Sequence, residues 1–209
     1  MLDRRQIPNA LTLLRLVLAA AFFVTLEFYR YPIGSPWLLV AAAALFILAA
    51  LTDALDGHLA RKWQAESVFG RIMDPFCDKI LVLGAVIYLA SPAFADPFAI
   101  ERGSARTMIS GVYPWMVVIV LARELLVTSI RGLAERQGID FRAKALGKWK
   151  MILQSVVVPV VLVIVAIDPV RTPGMDWLAW VRDLLVWSTV VVTVVSGWPY
   201  LRGARGLGS

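Results

Sequence analysis

The feature that most constrains this chain is a series of six long apolar stretches. A hydrocarbon core about 30 Å thick is crossed by about 20 residues of helix, and each stretch is near or above that length. Backbone groups in lipid have to bond within their own segment, so we expect helices. The sequence predicts an all-α integral membrane protein with six transmembrane helices, over 10–29, 37–60, 72–93, 112–134, 147–167 and 177–200.

The composition agrees with a membrane protein rather than a soluble domain. Of 209 residues, 59% are hydrophobic and 17% are charged, and the mean hydropathy is +0.73. We therefore expect one membrane-embedded domain over residues 1–209, whose size is set by the number of helices that cross. Ahead of the first apolar stretch, Leu2–Ala10 is predicted to form a short amphipathic helix lying in the interface.

Basic residues indicate how the spans are oriented, because Lys and Arg concentrate on the cytoplasmic side of a membrane. With the N-terminus in the cytoplasm, most of the 21 Lys and Arg residues fall on the cytoplasmic side. The exceptions are Arg30, Arg102, Arg106, Arg171 and Arg182. Both termini are therefore predicted to be cytoplasmic. The net charge of +6 favours anionic lipids and phosphorylated substrates as partners, rather than nucleic acid.

Four aspartates lie where the second predicted span ends and the third begins. Asp53 and Asp56 are three positions apart, and Asp74 and Asp78 are four apart, so each pair shares one face of a helix. Carboxylates gathered at low dielectric repel each other unless they protonate or a cation neutralises them. An all-carboxylate site favours Mg²⁺ or Mn²⁺. The alternatives are helix-capping carboxylates beside small packing residues, or the ion path of a divalent cation transporter.

Written out, the stretch reads D-x₂-D-G-x₂-A-R-x₈-G-x₃-D-x₃-D. Its fixed positions are Asp53, Asp56, Gly57, Ala60, Arg61, Gly70, Asp74 and Asp78. It resembles the signature of the CDP-alcohol phosphatidyltransferase family. The resemblance implies a six-helix membrane enzyme, usually a homodimer, that moves a phosphatidyl group from a CDP-linked lipid to an alcohol and releases CMP.

The resemblance and the chemistry together imply a role for each residue. Asp53, Asp56 and Asp74 would hold the metal, two ions per active site, and Asp78 would act as general base or share in coordination. The nucleotide and the CDP-lipid would be bound by Gly57, Ala60, Arg61 and Gly70, with Asn9 and Thr12, beside Arg15, bordering the site. For Asn9, Thr12 and Arg15, the alternative roles are helix capping and a contribution to the positive charge of the cytoplasmic side.

Three further segments bear on the acceptor alcohol. They are IPNALTLLR (7–15), ARELLVTSIRGLAERQG (122–138) and ALGKWKMILQ (145–154), and they resemble family members whose acceptor is glycerol 3-phosphate. Arg123, Arg131, Lys148 and Lys150 are the predicted ligands of its phosphate, because clustered cations suit a phosphomonoester. Arg123 also has the alternative of pairing with Glu124.

The resulting hypothesis is transfer of a phosphatidyl group from CDP-diacylglycerol to glycerol 3-phosphate at the cytoplasmic face of a bacterial inner membrane. The same reaction with inositol phosphate or serine as acceptor is the first alternative. Cation transport is the remote one, because the acidic cluster occurs once and no inverted repeat is evident.

Overall fold

A computed structural model of the chain describes the backbone of residues 6–63, 68–136, 145–169, 172 and 174–204. Within these ranges, the side chains described are all except those of 6–9, 54, 56–63, 68–72, 74–75, 78, 135–136, 145–150 and 203–204. This part of the chain is helical, with one isolated antiparallel bridge between Ala95 and Met108. The all-α prediction is confirmed.

In the described part of the chain, six long α-helices and one short one follow in order. They are α1 (Gln6–Glu27), α2 (Pro36–Trp63), α3 (Val68–Leu89), α4 (Pro97–Glu101), α5 (Pro114–Arg136), α6 (Ala145–Ile167) and α7 (Asp176–Ala204). Each long helix overlaps one predicted span. Residues 6–10 continue directly into α1, so the described part of the predicted interfacial helix is the first turns of α1; residues 1–5 lie outside the described part.

Proline sets several of the boundaries. Pro36 and Pro114 begin α2 and α5, where the missing backbone N–H costs nothing because first-turn donors have no partner within the helix. The helix α3 ends at Leu89, four residues before the predicted limit of 93, because Pro92–Phe94 form a 3₁₀ turn instead. The third predicted span was therefore too long at its end, because a turn that begins at Pro92 replaces the helix there.

The core lies between α1, α2, α3 and α6, and Met116 and Val117 of α5 and Val186 and Val190 of α7 extend it. The rings of Phe22 and Phe46 meet edge to face at 5.5 Å, which joins α1 to α2. On α3, Gly84 lets the ring of Phe23 lie directly on the backbone; a Cβ there would be 2.4 Å from Phe23 Cζ. The same Phe23 ring stacks on Tyr88 at 5.6 Å, so α1 and α3 pack as one unit.

Large apolar side chains also cover the outside of the bundle, which indicates a membrane protein. Phe28, Trp37, Leu125 and Leu184 are among many that are exposed. In the described residues, three helices carry an apolar stretch long enough to cross a membrane, namely Ala10–Glu27, Pro36–Asp53 and Asp176–Arg202. Shorter ones lie at Lys79–Leu89 on α3 and Met151–Ile167 on α6.

The bundle has two distinct ends. At the loop end, residues 90–113 fold over the helices, and Tyr31 N–H donates to Ala93 O at 3.0 Å. Within this segment, Ser110 is fully buried and its hydroxyl donates to Leu89 O at 2.6 Å. At the opposite end, which we call the aspartate end, α1 begins, α2 ends and α3 begins.

Candidate active site

The predicted signature lies on two consecutive helices at the aspartate end. Its first half occupies the last turns of α2, which ends at Trp63, and its second half occupies the first turns of α3, which begins at Val68. The short connection over 64–67 makes these turns neighbours in the chain. The side chains of Asp56, Asp74 and Asp78 lie outside the described set, as do Gly57, Ala60, Arg61 and Gly70.

Asp53 is the signature carboxylate whose side chain is described, and it contacts α1. Its Oδ1 accepts from Arg15 Nη1 at 2.8 Å. The Arg15 side chain is 1% exposed, whereas that of Asp53 is 46% exposed, so the arginine is enclosed while the carboxylate remains accessible. Thr12, one turn before Arg15, is also buried. The structure therefore brings the α1 element, predicted to border the nucleotide site, against the signature; Asn9 has no described side chain.

On α5, Arg123 is held in the interior of the bundle beside its neighbour. Arg123 Nη1 donates to Glu124 Oε1 at 2.7 Å, and the two side chains are 11% and 13% exposed. A Cβ on Gly197 of α7 would lie 3.3 Å from Arg123 Cγ, so the glycine provides the space in which the arginine stem lies. The predicted alternative, pairing with Glu124, is present. It leaves a role in acceptor binding untested.

Arg131 lies further toward the aspartate end and also contacts α7. Its Nη2 donates to Tyr200 Oη at 2.6 Å, and its guanidinium carbon lies 5.2 Å from the centre of the Tyr200 ring. Arg123 and Arg131, which are predicted to bind the same phosphate, therefore both contact α7. The side chains of Lys148 and Lys150, in the first turns of α6, lie outside the described set.

Two features of this region escaped prediction. Lys79, next to Asp78, donates from Nζ to Thr128 Oγ1 at 2.7 Å and so ties α3 to α5. The second is a polar stripe on α7, at alternating spacings of four and three residues, formed by Thr189, Thr193, Ser196 and Tyr200, all buried. The spacing was visible in the sequence, because polar residues recurring on one face of an apolar helix indicate a buried polar contact.

The four aspartates of the signature suit Mg²⁺ or Mn²⁺. All four are carboxylates, the hard oxygen ligands that these ions prefer, and Asp53 shows that such a carboxylate at this end is accessible. Among the described side chains no three acidic, histidine or cysteine residues cluster. That statement does not extend to Asp56, Asp74 and Asp78, which fall outside the set.

Comparison with known proteins decides the family. The sequence profile of the CDP-alcohol phosphatidyltransferases matches residues 5–195, nearly the whole chain. The chain belongs to this family. As a member, it is a membrane phosphatidyltransferase of phospholipid biosynthesis, and the cation-transporter alternative is set aside.

Similar proteins cover almost the full length. The CDP-diacylglycerol–glycerol-3-phosphate 3-phosphatidyltransferase of Bacillus subtilis (strain 168) is 32% identical over 93% of this chain and 92% of its own. The protein with that name in Cereibacter sphaeroides is 30% identical over 95% of both chains. The one in Rickettsia bellii is 27% identical, again over 95% of both.

Proposed function

We propose that this family member transfers the phosphatidyl group of CDP-diacylglycerol to the hydroxyl of glycerol 3-phosphate, with release of CMP. The observation that carries the proposal is the placement of the family signature at the same end of the bundle as Arg131. Full-length similarity to proteins named for this acceptor supports the choice of alcohol.

The aspartates serve the CDP-lipid. Asp53, Asp56 and Asp74 would hold Mg²⁺ or Mn²⁺, two ions per site, and the bound metal would neutralise the pyrophosphate and the departing CMP. Arg15 holds Asp53 through the 2.8 Å contact, so this carboxylate keeps one orientation before any ligand arrives. Gly57, Ala60 and Gly70 would leave space for the lipid nucleotide, and Arg61, Asn9 and Thr12 would border it.

Asp78 would take the proton of the acceptor hydroxyl. It lies four residues after Asp74 and so about 6 Å further along α3. Its neighbour Lys79 is bonded to Thr128 on α5, which brings this turn of α3 against the helix that carries Arg123 and Arg131. The base and the phosphate ligands would thus come from adjoining helices.

The phosphate of glycerol 3-phosphate would be bound by Arg131, Arg123, Lys148 and Lys150. A guanidinium presents several N–H donors in a fixed plane, and charge-assisted bonds to phosphate are stronger than neutral ones. Arg131 uses one terminal nitrogen for Tyr200, and its remaining donors would serve the ligand. Inositol phosphate would use the same cations; serine, which lacks a phosphate, would not.

The proposal includes six spans formed by the six long helices, a single domain, cytoplasmic termini and active site, a bacterial inner membrane and a homodimer. The distribution of Lys and Arg and the family resemblance support these points. Thiol-labelling of single cysteines placed at Lys62, Gln137 and Ser104 tests the topology. Label should reach the first two from the cytoplasm and the third from the other side.

The activity itself is tested by offering labelled acceptors to the purified protein with CDP-diacylglycerol and Mg²⁺. We expect stoichiometric CMP and phosphatidylglycerophosphate with glycerol 3-phosphate, and little product with serine or glycerol, which lack the phosphate. Preferential use of inositol phosphate would keep the phosphate site and change the alcohol. Efficient use of serine would retain the family reaction and reject the phosphorylated acceptor.

A further inference from the structure

We infer that the loop end of the bundle contains a second binding site, for the phosphodiester head group of an anionic phospholipid. A cavity of about 660 Å³ opens there, within the size range of small-molecule sites. It lies between the segment 90–113 and the first turns of α7. Trp115, on its wall, is sixteen residues before Arg131 on α5, about 24 Å away along the helix. The cavity is thus separate from the aspartate end.

The inner wall is built around a buried arginine. Arg182 is 3% exposed, and its Nε and Nη2 donate to Asp183 Oδ1 at 2.9 and 2.6 Å. Its Nη1 donates to Ile109 O. Gly111 has a φ of +72° and permits this approach, since a Cβ there would lie 3.0 Å from Asp183 Oδ1. A charged pair is therefore fixed in the wall by the loop fold.

The charge at the opening is positive. Asp96 Oδ1 accepts from Phe98 N–H at 3.0 Å as the cap of α4, a bond that leaves the negative charge of Asp96 in place, and Asp183 is paired with Arg182. Arg102 and Arg106 lie at the rim and are exposed, and within the described part of the chain neither is in an ion pair. Two guanidiniums at the opening of a preformed cavity favour an anion with several oxygen acceptors, such as a phosphate group.

The aromatic residues indicate a lipid rather than a free anion. Trp115 and Trp187 line the cavity with ring centres 5.6 Å apart, and both are about half exposed on the outer surface of the bundle. Trp180 lies under the Arg106 guanidinium at 5.9 Å. Tryptophan concentrates at the level of lipid head groups. The cavity therefore joins a cationic opening to an apolar surface at interface depth, which matches a phosphodiester with acyl chains attached.

Full-length protein, delipidated in detergent, tests the inference by native mass spectrometry with dioctanoyl phosphatidylglycerol as the probe. Arg102→Gln/Arg106→Gln should weaken binding of one lipid by at least about tenfold, as expected when charge-assisted contacts are lost. This double variant leaves the buried Arg182 unchanged, because removal of Arg182 would endanger folding. The matched control is Arg30→Gln, an exposed arginine at the same end that is paired with Glu27 outside the cavity.

Location and ligand source are tested separately. A photoactivatable phosphatidylglycerol should crosslink to 97–115 in wild-type protein and lose that adduct in the double variant, while transferase activity persists. If Arg30→Gln lost as much lipid binding as the double variant, the loss would reflect general surface charge, and the proposed site would be rejected. Full displacement of the lipid by millimolar inorganic phosphate would overturn the assignment to a lipid. Unchanged binding in the double variant would reject the cavity as the site.

Discussion

Arg15 Nη1 lies 2.8 Å from Asp53 Oδ1, joining the first helix of the bundle to the first carboxylate of the family signature. The arginine is enclosed and the carboxylate accessible, so the contact orients Asp53 without removing it from solvent. A residue outside the signature thereby contacts a carboxylate of the candidate active site.

Arg15→Gln should lower kcat/KM for CDP-diacylglycerol by about 10- to 150-fold, the equivalent of 1.5–3 kcal/mol for one charge-assisted hydrogen bond. Arg15→Lys should recover part of the loss, because the charge returns without the guanidinium geometry. Steady-state kinetics check both variants. Arg30→Gln, which breaks an exposed pair with Glu27, should stay near wild type; a comparable loss there would remove any special role of Arg15.

Asp56→Asn should abolish turnover, because a neutral amide is a much poorer ligand for Mg²⁺ than a carboxylate. The loss should exceed the about 10- to 100-fold that removal of an outer-shell partner costs a metal site. A chelator should inactivate the wild type, and added Mg²⁺ or Mn²⁺ should restore it. Asp176→Asn, an exposed acid at the loop end, is the matched control. Full activity of Asp56→Asn would contradict the metal site.

Asp78→Asn should slow the transfer reaction without weakening the binding of CDP-diacylglycerol. If Asp78 is the general base, kcat should fall by about 10²- to 10⁴-fold while the Kd for CDP-diacylglycerol is nearly unchanged. Rapid-quench turnover and equilibrium lipid binding measure the two quantities. A variant that loses lipid binding and turnover together would instead place Asp78 among the metal ligands.

Arg131→Ala should raise the KM for glycerol 3-phosphate by about 10- to 150-fold and leave the KM for CDP-diacylglycerol nearly unchanged. Lys148→Ala should act in the same direction. Tyr200→Phe keeps the ring under Arg131 and removes one hydrogen bond, so a rise of about 2- to 10-fold is expected.

Arg202→Ala is the control for Arg131→Ala, because Arg202 is an exposed cation of α7 that lies over Trp198 at 5.2 Å. Its acceptor KM should stay at the wild-type value. Wild-type acceptor KM values in both Arg131→Ala and Lys148→Ala would show that the phosphate is bound elsewhere.

Gly84→Ala should lower the free energy of unfolding by about 1–3 kcal/mol, because the added methyl overlaps the Phe23 ring. Phe23→Leu in the same chain should recover part of that loss. Thermal unfolding in detergent provides the measurement. Gly132→Ala, a helical position with nothing within 4 Å of the added Cβ, should be neutral or stabilising. Equal losses at both glycines would exclude the clash as the cause.

Much of the helix order could be predicted from the sequence, because apolar length and proline positions are local signals. Pro36 and Pro114 are at first positions of helices, where proline is favoured, whereas Pro159 and Pro199 lie inside helices. The Arg15–Asp53 contact could not be predicted, since it depends on how α1 is aligned along α2. Arg131 and Tyr200 are 69 residues apart, and their contact depends on α5 and α7 being neighbours that run in the same direction. The fold of 90–113 depends on Ser110 reaching Leu89, which no local pattern reveals.

The contact between Arg131 and Tyr200 has a consequence for biosynthesis. At about 5–20 residues per second, the ribosome needs about 3–14 s to make the 69 residues that separate them. During that interval α5 exists without α7, and Arg131 has neither the hydroxyl nor the ring of its partner. Synthesis of α5 therefore precedes that of Tyr200 by seconds, and this contact cannot form until nearly the whole chain has been made.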